Sequence, residues 1–190
     1  MKYNMEGMQR IVEEYAEIIR AAVIEEGEAG PITIADIEQG MREGLRQIGQ
    51  ESLGKVLSGL QKTPESEIAC GCGGKLRYQR KREASVISVF GKVRYERAYY
   101  AGCECQQGKA PLDEAYGLAP GEVTAGLAAL LGLAGVAFSY DQSSRWLEAY
   151  LLFQVSENTV RSETEELGVI QAKAEEEMIV QSQQEGCLQE

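Results

Sequence analysis

The chain has 190 residues, 44% of them hydrophobic, with one Trp, three Phe and no histidine. The missing histidine excludes Ser-His-Asp and Cys-His nucleophile sites, His general acid/base chemistry and His metal ligands. Net charge is −11, a balance that by itself argues against a nucleic-acid partner. The N-terminus lacks the apolar stretch of a signal peptide, and the longest nearly apolar run, Val123–Phe138, is short for a membrane span and reads as a buried helix. The expected location is cytoplasmic, with no membrane partner, and there clustered cysteines more often bind metal than form disulfides.

In chain order, Met8, Ile11, Val12, Tyr15, Ile18, Ile19, Ala22 and Val23 recur at helical spacing. Glu26-Gly-Glu-Ala-Gly-Pro31 breaks that helix. Thr33 then reads as an N-cap with Asp36 at the capping-box position, opening a second helix to about Gln61. This helix carries Gly40, Gly44, Gly49, Gly54 and Gly59, each costing about 1 kcal/mol against Ala in an exposed interior. It needs packing support, either as a helical hairpin over residues 1–61 or across a homodimer.

Lys62–Glu67 reads as a linker around Pro64. Lys75–Arg80, Ala84–Phe90 and Lys92–Tyr100 read as strands, with Gly91 at a hairpin turn. In the last strand Val93, Tyr95, Arg97 and Tyr99 lie on one face, and Arg94, Glu96, Ala98 and Tyr100 on the other. Leu112–Ala119 reads as a loop between Pro111 and Pro120. The remainder, 120–183, is helical. One helix begins at Ser139 or Tyr140, with Trp146, Leu147, Tyr150 and Leu151 on one face. A turn follows at Gln154-Val155, and Ser156 caps the next helix. The expected class is α+β: a helical hairpin, a small antiparallel zinc β-ribbon over 68–106, and a helix-turn-helix-like region.

Four of the five cysteines bound the ribbon as Cys70-Gly-Cys72 and Cys103-Glu-Cys105. Four thiolates at two ends of a hairpin suit one tetrahedral Zn²⁺ in a closed, structural site. A dithiol redox role is the enzymatic alternative, weakened by the presence of two pairs. Cys187 stands apart in a polar tail.

Between the pairs lie Lys75, Arg77, Arg80, Lys81, Arg82, Lys92, Arg94 and Arg97 against three glutamates, a local charge of +5 in a chain whose remainder carries −16. The plain reading is a solvated sheet face. The functional one is contact with DNA phosphates through Arg77, Arg80, Lys81, Arg82, Lys92, Arg94 and Arg97, with Tyr95, Tyr99 or Tyr100 packing beside them. The helix after Ser156 offers Asn158, Thr159 and Arg161 for base contacts, although Glu157, Glu163, Glu165 and Glu166 oppose that use. The alternative is an ordinary helical pair. The three aspartates, Asp36, Asp113 and Asp141, are scattered, and no two-metal catalytic constellation is visible.

Glu67–Tyr78, Phe90-Gly-Lys-Val-Arg-Tyr-Glu-Arg-Ala-Tyr-Tyr100, Ala110-Pro-Leu-Asp-Glu-Ala-Tyr-Gly-Leu-Ala-Pro-Gly121 and Val155–Gly168 together resemble the ISKra-type family of bacterial insertion-sequence transposases. The resemblance is strongest from Glu67 to Gly168, and relatives often show Cys-x-x-Cys where this chain has Cys-x-Cys. It implies that Cys70, Cys72, Cys103 and Cys105 match the family's cysteine positions and that the ribbon and following helices engage DNA. The family transfers phosphoryl groups with acidic residues on an RNase H-like core. The match fades after about Ala174, so no catalytic residue carries over. The expectation is a non-catalytic N-terminal DNA-binding fragment. Its alternative is a dimerising module acting on full-length transposase.

Overall fold

The structure is a computed structural model describing residues 5–21, 32–61 and 63–187. Helices α1 (Met5–Ile19) and α2 (Ile34–Gly59) come first, then strands β1 (Glu67–Ala69), β2 (Lys75–Ser88) and β3 (Gly91–Ala101). Helices α3 (Pro111–Tyr116), α4 (Ala125–Ala137), α5 (Tyr140–Leu151) and α6 (Glu157–Cys187) complete the chain. The class is α+β, with one antiparallel sheet in the order β1-β2-β3. The chain divides into two compact units, Met1–Gly49 and Gln50–Glu190.

In the first unit the capping box forms as its residue types dictate. Asp36 Oδ2 accepts the Thr33 N–H at 2.9 Å and the Asp36 N–H reaches Thr33 Oγ1 at 3.3 Å. The Tyr15 hydroxyl donates to the Met41 carbonyl at 2.8 Å, which ties α1 to α2. The expected break at Glu26–Pro31 lies outside the described residues.

In the second unit the sheet departs from the expected strands. Lys75–Arg80 and Ala84–Phe90 are one continuous 14-residue strand, β2, with a register shift between Tyr78 and Arg80. The charged Lys81–Glu83 stretch that looked like a break pairs with Ala98, Arg97 and Glu96 across the ladder. The segment read as a linker ends in a strand, because Glu67–Ala69 pairs antiparallel with Lys75–Arg77. The hairpin turns at Val89-Phe90, which keep negative φ, and only Gly91 goes left-handed at φ 97. Glycine adopts that conformation without the strain a Cβ would bring.

The outer edge of β3 would expose unpaired backbone groups, and such edges recruit foreign strands. Here α2 and a loop cover it. Gln50 Nε2 donates to the Lys92 carbonyl at 2.6 Å, the Glu96 N–H to Ser58 Oγ at 3.0 Å and the Ala98 N–H to Gln61 Oε1 at 2.7 Å. Tyr100 exchanges two 2.8 Å backbone bonds with Lys109. Gly54 allows the close approach: a Cβ there would lie 2.4 Å from the Arg94 carbonyl oxygen.

Three small cores result. Leu57, Ala84, Val86, Val93, Tyr95 and Leu112 fill one side of the sheet. Cys70, Leu76, Ala98 and Tyr100 form a second near the cysteines. The third joins Leu127 and Leu131 of α4 to Leu147, Val155 and Val160.

Two further expectations are corrected. Pro111–Tyr116 is a short helix, not a loop; its proline sits in the first turn, where a missing N–H costs nothing, and Gly117 closes it at φ 61. The apolar run 123–138 is helical but not buried all round. Leu127, Leu131 and Gly132 are buried, whereas Leu133 and Val136 are 71% and 82% exposed. Of the α5 face, Leu147 is buried while Trp146 and Tyr150 lie exposed, stacked at 4.5 Å. Among the described residues no helix is long and apolar enough to cross a membrane.

Candidate functional site

The cysteines converge. The Sγ atoms of Cys70, Cys72, Cys103 and Cys105 all lie within 4.8 Å of one another. The sulfurs 3.5 Å apart are Cys70 and Cys105, and those 3.2 Å apart are Cys72 and Cys103. Each short approach therefore joins the two loops rather than the two members of one Cys-x-Cys pair.

The loops repeat one backbone device. The Gly73 N–H donates to the Cys70 carbonyl at 3.0 Å, and the Gln106 N–H to the Cys103 carbonyl at 2.9 Å. Gly73 and Gln106 both take positive φ, 89 and 58. One residue further on, the N–H of Gly74 bonds Cys72 and that of Gln107 bonds Cys105. Two matching turns thus present four sulfurs to one point and aim amide dipoles at three of them, Cys72, Cys103 and Cys105. Gly74 is confined by the cluster itself, since a Cβ there would sit 2.7 Å from Cys103 Sγ.

The thiols do not titrate independently. The Gly74 N–H, then hydrogen bonds from Cys103, Cys70 and Cys105, bring Cys72 down to about 7. Cys103 gains from the Cys105 N–H, but bonding to Cys72 and desolvation push it up to about 12. Cys105 is also raised: the Gln107 N–H favours its thiolate, and bonding to Cys70 with desolvation outweighs that. Negative charge gathers on Cys72 and is resisted on Cys103 and Cys105, the expected behaviour of a site that takes several thiolates only with a cation among them. A tetrahedral ion with Zn–S of about 2.3 Å needs sulfurs about 3.8 Å apart, so the donor set is compatible with zinc in both chemistry and spacing.

The basic residues do not form one surface. Lys75 and Arg77 both bond Glu67, at 3.1 and 3.3 Å. Arg80, Lys81, Arg82, Lys92 and Arg94 are exposed. Lys81 approaches Glu96 at 3.7 Å, and the Arg82 guanidinium carbon sits 3.6 Å over the Tyr99 ring. Lys92 and Arg94 line a groove with Glu51, Glu83 and Glu96.

Arg97 departs from the expected set. It pairs with Asp113, both side chains mostly buried at 13% and 12% exposure, and Tyr95 donates to the same carboxylate at 2.8 Å. Its charge is spent inside the protein, so it does not belong among exposed phosphate contacts. The Asp113 role was not read from the sequence; its place in the Pro-Leu-Asp-Glu stretch was the signal available.

In the helical region, Ser156 caps α6 by accepting the Thr159 N–H at 3.1 Å, and the two hydroxyls bond at 2.7 Å. Thr159 is thereby a capping group. Asn158 and Arg161 are exposed on the first turns of α6. A five-residue turn, with Leu152 left-handed at φ 59, joins α5 to α6, and Val155 and Val160 anchor it in the core.

Fold and site define a small α+β protein with a four-cysteine cluster at one end of a charged β-ribbon, followed by a three-helix region. The chain belongs to the uncharacterised protein family UPF0236, whose profile matches residues 29–188. No curated protein matches it.

Proposed function

We propose that this chain is the DNA-engaging portion of an insertion-sequence transposase, with a structural Zn²⁺ held by Cys70, Cys72, Cys103 and Cys105. The observation that carries the reading is the four-sulfur cluster at the base of the one strongly basic segment of an acidic chain. A closed Cys₄ site stabilises and does not catalyse. The ion would lock β1, β2 and β3 at one end and fix the spacing of Arg77, Arg80, Lys81, Arg82, Lys92 and Arg94. Cations held on a rigid ribbon neutralise DNA phosphates and release counterions, so binding weakens steeply with salt. Asn158 and Arg161, at the start of α6, would add contacts in a groove. The motif resemblance from Glu67 to Gly168 supplies the transposase assignment.

Elemental analysis of purified protein tests the first half, with about one zinc per chain expected. Fluorescence anisotropy with labelled duplex DNA across a salt series tests the second. Metal-free folded protein with no salt-sensitive binding would sink the reading.

A second reading is favoured by the apolar residues left exposed on α1 and α2: Ile11, Val12, Ile18, Leu45 and Ile48. In it these helices dimerise, with a second copy or with intact transposase, and the chain acts as a regulatory partner. Sedimentation of the chain alone and mixed with full-length enzyme separates the two readings, because this one requires a concentration-dependent dimer.

A further inference from the structure

The bulge in β2 decides which cations act together. Tyr78 pairs with Tyr100 and Arg80 with Tyr99, leaving Gln79 as the extra residue. Tyr99 and Tyr100 are adjacent in β3 and so point to opposite faces, which sends Tyr78 and Arg80 to opposite faces as well. Tyr78 turns into the core beside Tyr100, at 5.7 Å. Arg80 turns out. Arg77 pairs with Ala101 and Arg82 with Arg97, both on the Tyr99 face. Without the bulge, Arg77 would face away from Arg80 and Arg82. With it, all three guanidiniums lie on one exposed face.

The opposite face differs in charge. Lys81, Lys92 and Arg94 share it with Glu83 and Glu96, and Lys81 already approaches Glu96. On the arginine face the strand carboxylate among the described residues is the half-buried Glu67, engaged by Lys75 and Arg77.

Arg82 is also held in place. Its direct neighbour across the ladder is Arg97, and like charges placed opposite one another repel. Arg97 turns to Asp113, while Arg82 leans diagonally over Tyr99. The ring is fixed in turn: Gly108 lies against its hydroxyl, where a Cβ would come within 2.0 Å. A guanidinium held 3.6 Å over a fixed aromatic ring is restrained in position while its N–H groups stay available to a phosphate.

We infer that the Arg77–Arg80–Arg82 face, gathered by the Gln79 bulge, is the surface that grips the phosphate backbone of duplex DNA, with Tyr99 as the positioning residue of Arg82. This rests on the DNA-binding reading above and narrows it. Duplex backbone is favoured over single strands because Arg82 already covers the Tyr99 ring, leaving that ring closed to base stacking.

The test uses the full chain and a labelled duplex in anisotropy titrations at several salt concentrations. The triple variant Arg77→Ala/Arg80→Ala/Arg82→Ala is expected to lose most affinity and to lower the log–log salt slope by about 2.7, about 0.9 per phosphate. Lys81→Ala/Lys92→Ala/Arg94→Ala, whose cations share their face with Glu83 and Glu96, is expected to lose clearly less affinity and to lower the slope by less than about 1. Arg82→Lys and Tyr99→Leu should each weaken binding about two- to fivefold with the slope unchanged, and Tyr99→Phe should restore it. Arg82→Lys keeps this arm readable if Tyr99→Leu unfolds. Equal losses from the two triple variants would overturn the face assignment and leave DNA binding standing. No loss from Arg82→Lys would overturn the positioning role. An unaltered chain that does not bind duplex overturns both readings.

Discussion

Arg97 of β3 and Asp113 of α3 form an ion pair inside the protein, and the Tyr95 hydroxyl completes it on the same carboxylate. The three residues come from two of the four stretches that carry the family resemblance, Phe90–Tyr100 and Ala110–Gly121. Their shared use is structural: they fasten the short helix α3 against the sheet, so that Leu112 enters the core with Val93 and Tyr95. Burial and Asp113 together push the Tyr95 phenol well above its usual range.

Removing Asp113 should therefore cost far more than removing a surface carboxylate. Asp113→Ala leaves Arg97 without its partner and the Tyr95 hydroxyl without an acceptor. The expected loss is about 2–4 kcal/mol by urea denaturation. Asp141→Ala, which breaks the exposed pair with Arg145, should cost less than about 1 kcal/mol. Similar losses from both would refute the internal role of Asp113.

Gly74 and Gly71 offer a test of the cysteine cluster. A methyl group at Gly74 would strike Cys103 Sγ, whereas at Gly71 it meets open space. Gly74→Ala should weaken metal retention at least about tenfold, the scale on which displaced supporting groups act, and Gly71→Ala should leave it unchanged. Cobalt substitution, followed by thiolate-to-metal absorption during competition with a chelator, reads the difference.

The crossing of α4 and α6 depends on two glycines with unequal tolerance. A Cβ at Gly135 would lie 2.0 Å from Thr164 Oγ1 and 3.0 Å from its Cβ, on a stiff branched side chain whose hydroxyl bonds the Val160 carbonyl at 2.7 Å. At Gly132 it meets the mobile end of Leu167. Gly135→Ala should destabilise by about 1–3 kcal/mol despite its better helix propensity. Gly132→Ala should be close to neutral. Thr164→Ala should relieve much of the Gly135→Ala penalty in a double-mutant cycle, and strict additivity would contradict the proposed contact.

Glu163 carries the clearest pH signature in the helical region. Desolvation, then Glu166 and Glu122, raise its carboxyl above the ordinary range. A raised folded-state value means that the protonated form is relatively favoured in the native protein. Its favourable contribution is complete below the unfolded-state value and is lost as pH rises through the folded-state one. Glu163→Gln should therefore raise the melting temperature at pH 7. Its advantage should shrink towards zero as pH falls below the ordinary carboxylate range. A variant with an unchanged advantage at low pH would point to packing instead of charge.

Local chemistry was legible in the sequence. The Thr33–Asp36 box, the Ser156 cap, the Gly91 turn and the helix after Ser139 depend on residues within four positions of one another, and each formed as its side chains dictate. The two Cys-x-Cys pairs also announced themselves, because thiols so spaced have few uses in one short segment. Their convergence within 4.8 Å follows from the antiparallel pairing of β2 and β3.

What only tertiary structure decided lay in contacts between distant residues. Alternation alone cannot reveal a one-residue bulge, so the common face of Arg77, Arg80 and Arg82 was invisible until register was fixed. Composition marks Arg97 as one cation among eight, and its partner Asp113 stands 16 residues away across a loop and a helix start. Hydrophobicity marked Val123–Phe138 as buried, yet packing by α5 and α6 covers only one side of α4, and Leu133 and Val136 face outward. Sequence determines which groups can interact over one or two turns. Which cations remain exposed is decided by strand register and by carboxylates that folding brings from elsewhere, because a charge is neutralised by its nearest partner in space.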